Sequence, residues 1–407
     1  MKKAFLFTLI YSFIATAVFS QTKLKTGIWR GVLTLPAGEL PFNFEVKDTV
    51  GRQQLYIINA SERFKVTDVK TQADSVFIHM PLFDSEFRLQ LQGNKLTGQF
   101  IKHLGDRNTS TPFTAQHGQN WRFFEKPETP AYNITGRWLT VFGDGADRDT
   151  TVGEFKQTGN RVTGTFLTTT GDYRYLEGSV NGNKLYLSCF DGGHAFLFTA
   201  NVQDAQTINN GLWGRTPWTA VKNPNAKLPD AYSLTVLKPG YKKIEFSFPD
   251  LNDQKVSLTD TRFKNKVTIL QIMGSWCPNC MDETAYLVNY YKKYHKKGVE
   301  VVGLAYERTA DLEKSKKAVT QEKDHFNIPY PLLLTGYTSN KKEAAKSLPM
   351  LSSVLAFPTT IIIDKNGEVR KIYTGFSGPG TGAYYTDFVN EFERLTESLL
   401  AENAKAL

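Results

Sequence analysis

The chain has 407 residues, a formal net charge of +9 and three cysteines. That length exceeds what one hydrophobic core organises, so two or three domains are expected. The lysines are scattered, clustering only at "YKKYHKK" and "EKSKKA"; these read as solvated helix faces and exclude nucleic acid as a partner, while so few cysteines exclude a disulfide scaffold.

Residues 1–20, "MKKAFLFTLIYSFIATAVFS", place Lys2 and Lys3 before an apolar run that ends in small residues, Val18 and Ser20. This predicts a secretory signal peptide, with an uncleaved anchor as the alternative. No later segment is apolar enough to span a bilayer. Export puts the cysteines in an oxidising compartment, the periplasm or another extracytoplasmic space, with the mature chain soluble there.

Residues 24–222 are short runs rich in Thr, Phe, Val and Leu, broken by Gly-Asn and Asp-Gly, with no helical period. An all-β region is expected. "GNKLTG" (93–98) and "GNRVTG" (159–164) read as hairpin turns, and "NGNKLYL" (181–187) is a third. "TGIW" (26–29) returns as "TGRW" (135–138), and "LFDSEFRLQL" (82–91) resembles "CFDGGHAFLF" (189–198) at nearly the same spacing. The repeat predicts two duplicated modules, 21–125 and 126–222, each barrel-like or sandwich-like. Trp29, Trp138 and Trp213 are expected in their cores. Residues 223–242, poor in periodicity and rich in proline, read as a linker.

From 243 to 407 the pattern is α/β. "VTILQIM" (267–273) and "VEVVGLAYE" (299–307) are buried parallel strands, each followed by helical spacing. Helices are expected near 309–327 and 340–349, with a short strand in "YPLLLT" between them. "TTIIIDKNGEVRKIY" (359–373) reads as a hairpin turning at Asn366-Gly367, and Phe388, Phe392, Leu395 and Leu399 mark a last amphipathic helix.

Between strand 267–273 and the next helix lies "WCPNC", Trp276 to Cys280. Haem attachment needs histidine after the second cysteine, where Met281 stands. A zinc site needs two further ligands, and neither Cys189 nor the histidines form a second cluster. A structural disulfide this short would remove little chain entropy. A redox pair fits the position best. Cys277 would cap a helix whose free N–H groups and dipole favour a thiolate. Pro278 suits the first helical position, and Cys280 follows one turn along, placed to resolve a mixed disulfide.

"IEFSFPDLNDQKVSLTD", "VTILQIMGSWCPNCMDE" and "AFPTTIIIDKNGEVRKIYTG" together resemble the TlpA-like branch of the thioredoxin superfamily, over about 243–402. The resemblance implies a thioredoxin fold with a central insertion at 309–334. It implies an exported thiol-disulfide oxidoreductase, often a reductant of periplasmic proteins. By resemblance Pro358 is the cis-proline facing the cysteines, and Phe357 offers backbone to an incoming peptide. Two positions depart from the expected pattern, and two more disfavour a peroxiredoxin. Gln271 stands where ordinary thioredoxins carry a buried acid, Ala285 replaces a helix proline, and Leu270 and Gly274 break the peroxiredoxin frame. Glu283 matches an acid common in the branch and is a candidate proton shuttle for Cys280; a helix acid with no special role is the alternative.

Cys189 reads as a buried thiol and His194 as a turn residue. The expected function is protein-disulfide reduction through Cys277 and Cys280, supported by Trp276, Pro278, Asn279, Glu283, Phe357 and Pro358. The neutral Asn279 before the second cysteine favours reduction over oxidation. No cofactor or metal is expected; the partners are a disulfide-bearing protein and a membrane thiol electron donor. The alternative is an envelope protein whose β-modules bind an unknown ligand or partner, with the thioredoxin domain accessory.

Overall fold

The computed structural model describes residues 23–104 and 107–403, so the expected signal peptide lies outside the described residues. In the first half, the alternation of apolar and polar side chains places one face of each strand on a core. Strand Arg52–Asn59 shows it directly, every second residue being buried.

Nine strands between Gly27 and His117 run as an antiparallel meander among the described residues. The last, Asn108–His117, returns to pair with the first, Gly27–Leu35. The ring is open only between Glu62–Val66 and Asp68–Gln72. The second half of the β region closes fully. Gly136–Phe142 pairs with both Asp149–Thr158 and Thr216–Lys222, and the intervening strands follow in order. Closing a meander into a barrel removes its exposed edges. A two-residue strand, Gly171–Asp172, hangs from the end of Arg161–Thr168.

Trp29 and Trp138 are fully buried in the two barrels, and each indole donates its N–H to the carbonyl four residues back, Lys25 and Ile134. Trp213 departs from the expectation. It ends its strand and is only partly buried, its ring stacking on Phe198. The turns at Gly93 and Gly159 have φ of +61° and +58°, which glycine adopts without strain.

The last domain is a five-stranded sheet in the order Leu332–Thr338, Val299–Glu307, Val267–Met273, Thr359–Ile363, Val369–Thr374. The first three strands are parallel; Thr359–Ile363 runs antiparallel to Val267–Met273, and Val369–Thr374 antiparallel to Thr359–Ile363, so the last strand runs with the first three. Val267–Met273 and Val299–Glu307 are buried along their whole length, as strands covered on both faces must be. Helices Leu312–Phe326 and Lys341–Ser347 are shorter than the expected spans. Each starts where a capping side chain, Asp311 or Asn340, accepts two backbone N–H bonds. The segment read as a linker is docked rather than loose. Leu237 bridges to Leu351, and Val236 and Lys238 donate backbone N–H groups to Ser352 Oγ and the Met350 carbonyl.

Candidate active site at the dithiol

The buried central strand Val267–Met273 ends at Gly274, where the chain turns. A Cβ at Gly274 would lie 2.3 Å from Trp276 Nε1 and 2.9 Å from the Tyr306 carbonyl, so only glycine fits. Ser275 then donates its N–H and hydroxyl to the Glu307 carboxylate, each at 2.8 Å. Trp276 donates to the Tyr306 carbonyl at 2.9 Å, sets its ring edge-on to Phe357, and carries the Arg308 guanidinium 5.5 Å from the ring centre. The turn before the cysteines is thus pinned to strand Val299–Glu307.

Cys277 is the N-cap of helix Pro278–Tyr294, with Pro278 at the first helical position. Its sulfur accepts the Cys280 N–H at 3.3 Å and lies 3.1 Å from the Phe357 carbonyl, to which the thiol donates. The Phe357–Pro358 bond is cis, and the Pro358 carbonyl accepts the Gly375 N–H at 2.9 Å. All three cysteines are free thiols. Cys280 is fully buried; burial pushes its thiol well up, and the hydrogen bond to Cys277 adds to this.

Glu283 points inward beneath Cys280. Its carboxylate accepts Gln271 Nε2 at 2.8 Å and the Thr360 hydroxyl at 2.5 Å. Burial raises it to about 7, against the two hydrogen bonds that lower it. Gln271, the residue that departs from the thioredoxin pattern, is therefore the anchor of this acid.

Asn279 does not face solvent. Its amide donates to the Asp172 carbonyl and carboxylate in the second barrel, at 3.2 and 3.3 Å. Beside it Arg174, fully buried, donates to the Pro278 carbonyl and pairs with Asp282 on the dithiol helix and Glu62 on the first barrel. Sequence reasoning missed Asp172, Arg174 and Glu62. "TGDYR" (170–174) has the composition of an exposed turn, and no local signal marks the arginine as buried. Cys189 is buried in the second barrel, and burial raises its thiol well above the ordinary value. His194 bonds Asp191 within its own turn. On the far side of Trp276 a cavity of about 640 Å³ opens between the first barrel and the sheet, lined by Phe83, Lys102, Arg308 and Glu322 among others.

Residues 225–386 match the Redoxin family. The chain is similar to the thiol-disulfide oxidoreductase ResA of Geobacillus thermodenitrificans (strain NG80-2), 28% identical over 141 residues, which is 35% of this chain and 72% of that protein. The ResA of Bacillus subtilis (strain 168) is 28% identical over 130 residues, 32% of this chain and 64% of that protein. A solved thiol-disulfide oxidoreductase from Bacteroides fragilis NCTC 9343 aligns over 37% of this chain and 99% of its own, at 20% identity and a TM-score of 0.30.

Proposed function

We propose that this chain, whose residues 225–386 match the Redoxin family and which is similar to thiol-disulfide oxidoreductases, is exported and reduces disulfides of periplasmic proteins through Cys277 and Cys280. The observation that carries the reading is the pairing of sulfurs at one helix start. Cys277 caps the helix and receives the Cys280 N–H, while Cys280 lies buried one turn along.

The chemistry follows from that arrangement. Cys277 thiolate attacks one sulfur of the substrate disulfide; that S–S bond breaks and the other sulfur leaves as a thiolate. Cys280 then gives its proton to Glu283 and attacks Cys277 Sγ. The Cys277–Cys280 disulfide forms, the second substrate sulfur leaves, and two electrons have passed to the substrate. Glu283, held near 7 by burial, is matched to that proton at neutral pH. The Phe357 carbonyl beside Cys277 offers an acceptor to an incoming peptide. A membrane thiol donor returns the two electrons. No helix among the described residues is long and apolar enough to cross a membrane. The two barrels are read as copies of one module, on the return of "TGIW" (26–29) as "TGRW" (135–138).

The test is insulin reduction by the full chain with Cys277→Ser as control, and capture of the partner by Cys280→Ala. That variant accumulates a mixed disulfide on Cys277, visible on non-reducing gels. Absence of any trapped species, or a potential near that of a strong oxidant, about −120 mV, overturns the reductase reading.

A further inference from the structure

A disulfide that exchanges with Cys277 must bring a sulfur into line with Cys277 Sγ, so that atom has to be reachable. In the folded chain Cys277 is 4% exposed. A segment of the second barrel packs beside this site, against Asn279 on the dithiol helix and against Gly375 and Gly378.

That segment, Thr168–Tyr175, leaves the barrel wall after strand Arg161–Thr168. Its tip lies on Gly375, where a Cβ would sit 2.8 Å from the Thr170 carbonyl carbon and 3.0 Å from the Thr169 oxygen. Gly375 is the residue hydrogen-bonded to Pro358, so the tip rests beside the Phe357–Pro358 peptide that faces Cys277. Next, Gly171 at φ +147° meets Asn279 so closely that a Cβ would lie 2.4 Å from Asn279 Oδ1. Asp172 then accepts three groups from the dithiol domain and its own turn: the Asn279 amide, the Gly378 N–H at 2.7 Å and the Arg174 N–H at 2.6 Å.

Arg174 holds the arrangement together. Its backbone is left-handed at φ +57°, sparsely populated for a residue with a side chain. Its guanidinium joins three units at once, through Glu62 of the first barrel, its own second barrel, and Asp282 with the Pro278 carbonyl of the dithiol helix. Asp191 lies 3.8 Å from its Nε. Met281, one residue past Cys280, packs into the core of the first barrel. Removing one partner of such a buried pair leaves a charge without compensation.

We propose that segment Thr168–Tyr175 is a built-in cap that closes the dithiol to protein substrates, latched by Arg174 between Glu62 and Asp282, and that exchange proceeds from the conformer in which the cap has lifted. The inference rests on the reading of Cys277 and Cys280 as an exchanging pair. The observed rate is then the intrinsic rate scaled by the open fraction.

The test uses the reduced full chain. The alkylation rate of Cys277 is measured by peptide mass spectrometry with iodoacetamide and with a bulky polyethylene-glycol maleimide. Wild type, Glu62→Gln and Arg174→Ala are compared, with the urea-unfolded chain as the reference for an open thiol. Wild type should react with the bulky reagent at least about tenfold more slowly than the folded Glu62→Gln chain, because the latch loses a buried charge partner. Should Arg174→Ala fail to fold, Glu62→Gln and the two-reagent comparison on wild type still decide. A wild-type Cys277 as reactive toward the bulky reagent as the unfolded chain overturns the cap. So does a folded Glu62→Gln chain no faster than wild type. Insulin reduction separates this inference from the reading beneath it. An uncapped chain that alkylates fast yet reduces nothing refutes the reductase and leaves the cap. A wild type that reduces insulin as fast as Glu62→Gln refutes the cap and leaves the reductase.

Discussion

Replacing Glu283 by glutamine tests the proton chemistry and the energetics of the site together. Glutamine keeps the shape of the protonated acid and can still accept from Gln271 or Thr360. The carboxyl stands at about 7 in the folded chain against an ordinary 4.5, burial being the first cause. The folded protein therefore binds this proton more tightly than the unfolded one. Stability from this group is complete below about 4.5 and is lost as pH rises to about 7; above that it is constant. The loss spans about 2.5 pH units, at about 1.4 kcal/mol each, or roughly 3 kcal/mol. Glu283→Gln has no such loss, so relative to wild type it gains roughly 3 kcal/mol between pH 4.5 and 8. The acids Asp282 and Glu322, raised to about 7 and about 8, move stability in the same direction. They cancel in the difference, because the groups acting on Glu283 are Thr360 and Gln271 rather than another charge. The assay is urea-dependent hydrogen exchange at strand Val267–Met273 in the reduced protein, which reports opening of the sheet over Glu283. The same substitution should slow resolution of the mixed disulfide by about a hundredfold at neutral pH, the lower range for a lost proton acceptor. Equal pH slopes in variant and wild type would refute the assignment of a raised, buried carboxyl at Glu283.

Gly178→Ala should destabilise the second barrel by about 3 kcal/mol or more in thermal melts, because overpacking has no room to relax there; the new Cβ would sit 1.7 Å from the Tyr186 carbonyl oxygen on the paired strand. Cys189→Ala should leave insulin reduction unchanged and cost about 1 kcal/mol, the loss of one small buried group. In that variant the thiol count of the denatured chain falls by one, while the count in the folded chain does not change, since Cys189 is 1% exposed.

The dithiol was legible in the sequence because its determinants are local. A seven-residue apolar run, a glycine turn, Cys277 and Pro278 specify strand, cap and helix within a dozen positions, and the structure forms them in that order. Glycine-asparagine turns likewise marked the hairpins. The environment of the dithiol was not legible, because its determinants are distant. Arg174 meets partners 112 and 108 residues away, and nothing within "TGDYR" tells a buried arginine from a solvated one. Glu322 falls between these cases. Its helix reads as charged and exposed, yet Ser315, Val319 and Glu322 are buried together on one face. An acid at an apolar stripe position was a signal available in the sequence. Gln271 read as the loss of a proton acceptor, whereas in space it donates to the carboxylate of Glu283, the acid proposed to take the Cys280 proton.

Asp282 and Glu283 are neighbours on one helix with different surroundings. Successive helical residues point about 100° apart, so neighbours in sequence face different surroundings. Asp282 turns outward to Arg174 and the second barrel, Glu283 inward to Gln271 and Thr360. Both carboxyls are raised to about 7 with burial as the first cause, but the opposing groups differ: a guanidinium from another domain at Asp282, two hydrogen bonds from the sheet at Glu283. Undocking the barrel removes Arg174 and its cover from Asp282 and leaves the partners of Glu283 in place. On the proposed reading, access to Cys277 therefore changes while the hydrogen bonds that hold Glu283 stay in place. Amide substitution at the two positions should separate accordingly, Asp282→Asn altering the alkylation rate of Cys277 and Glu283→Gln the release of the mixed disulfide.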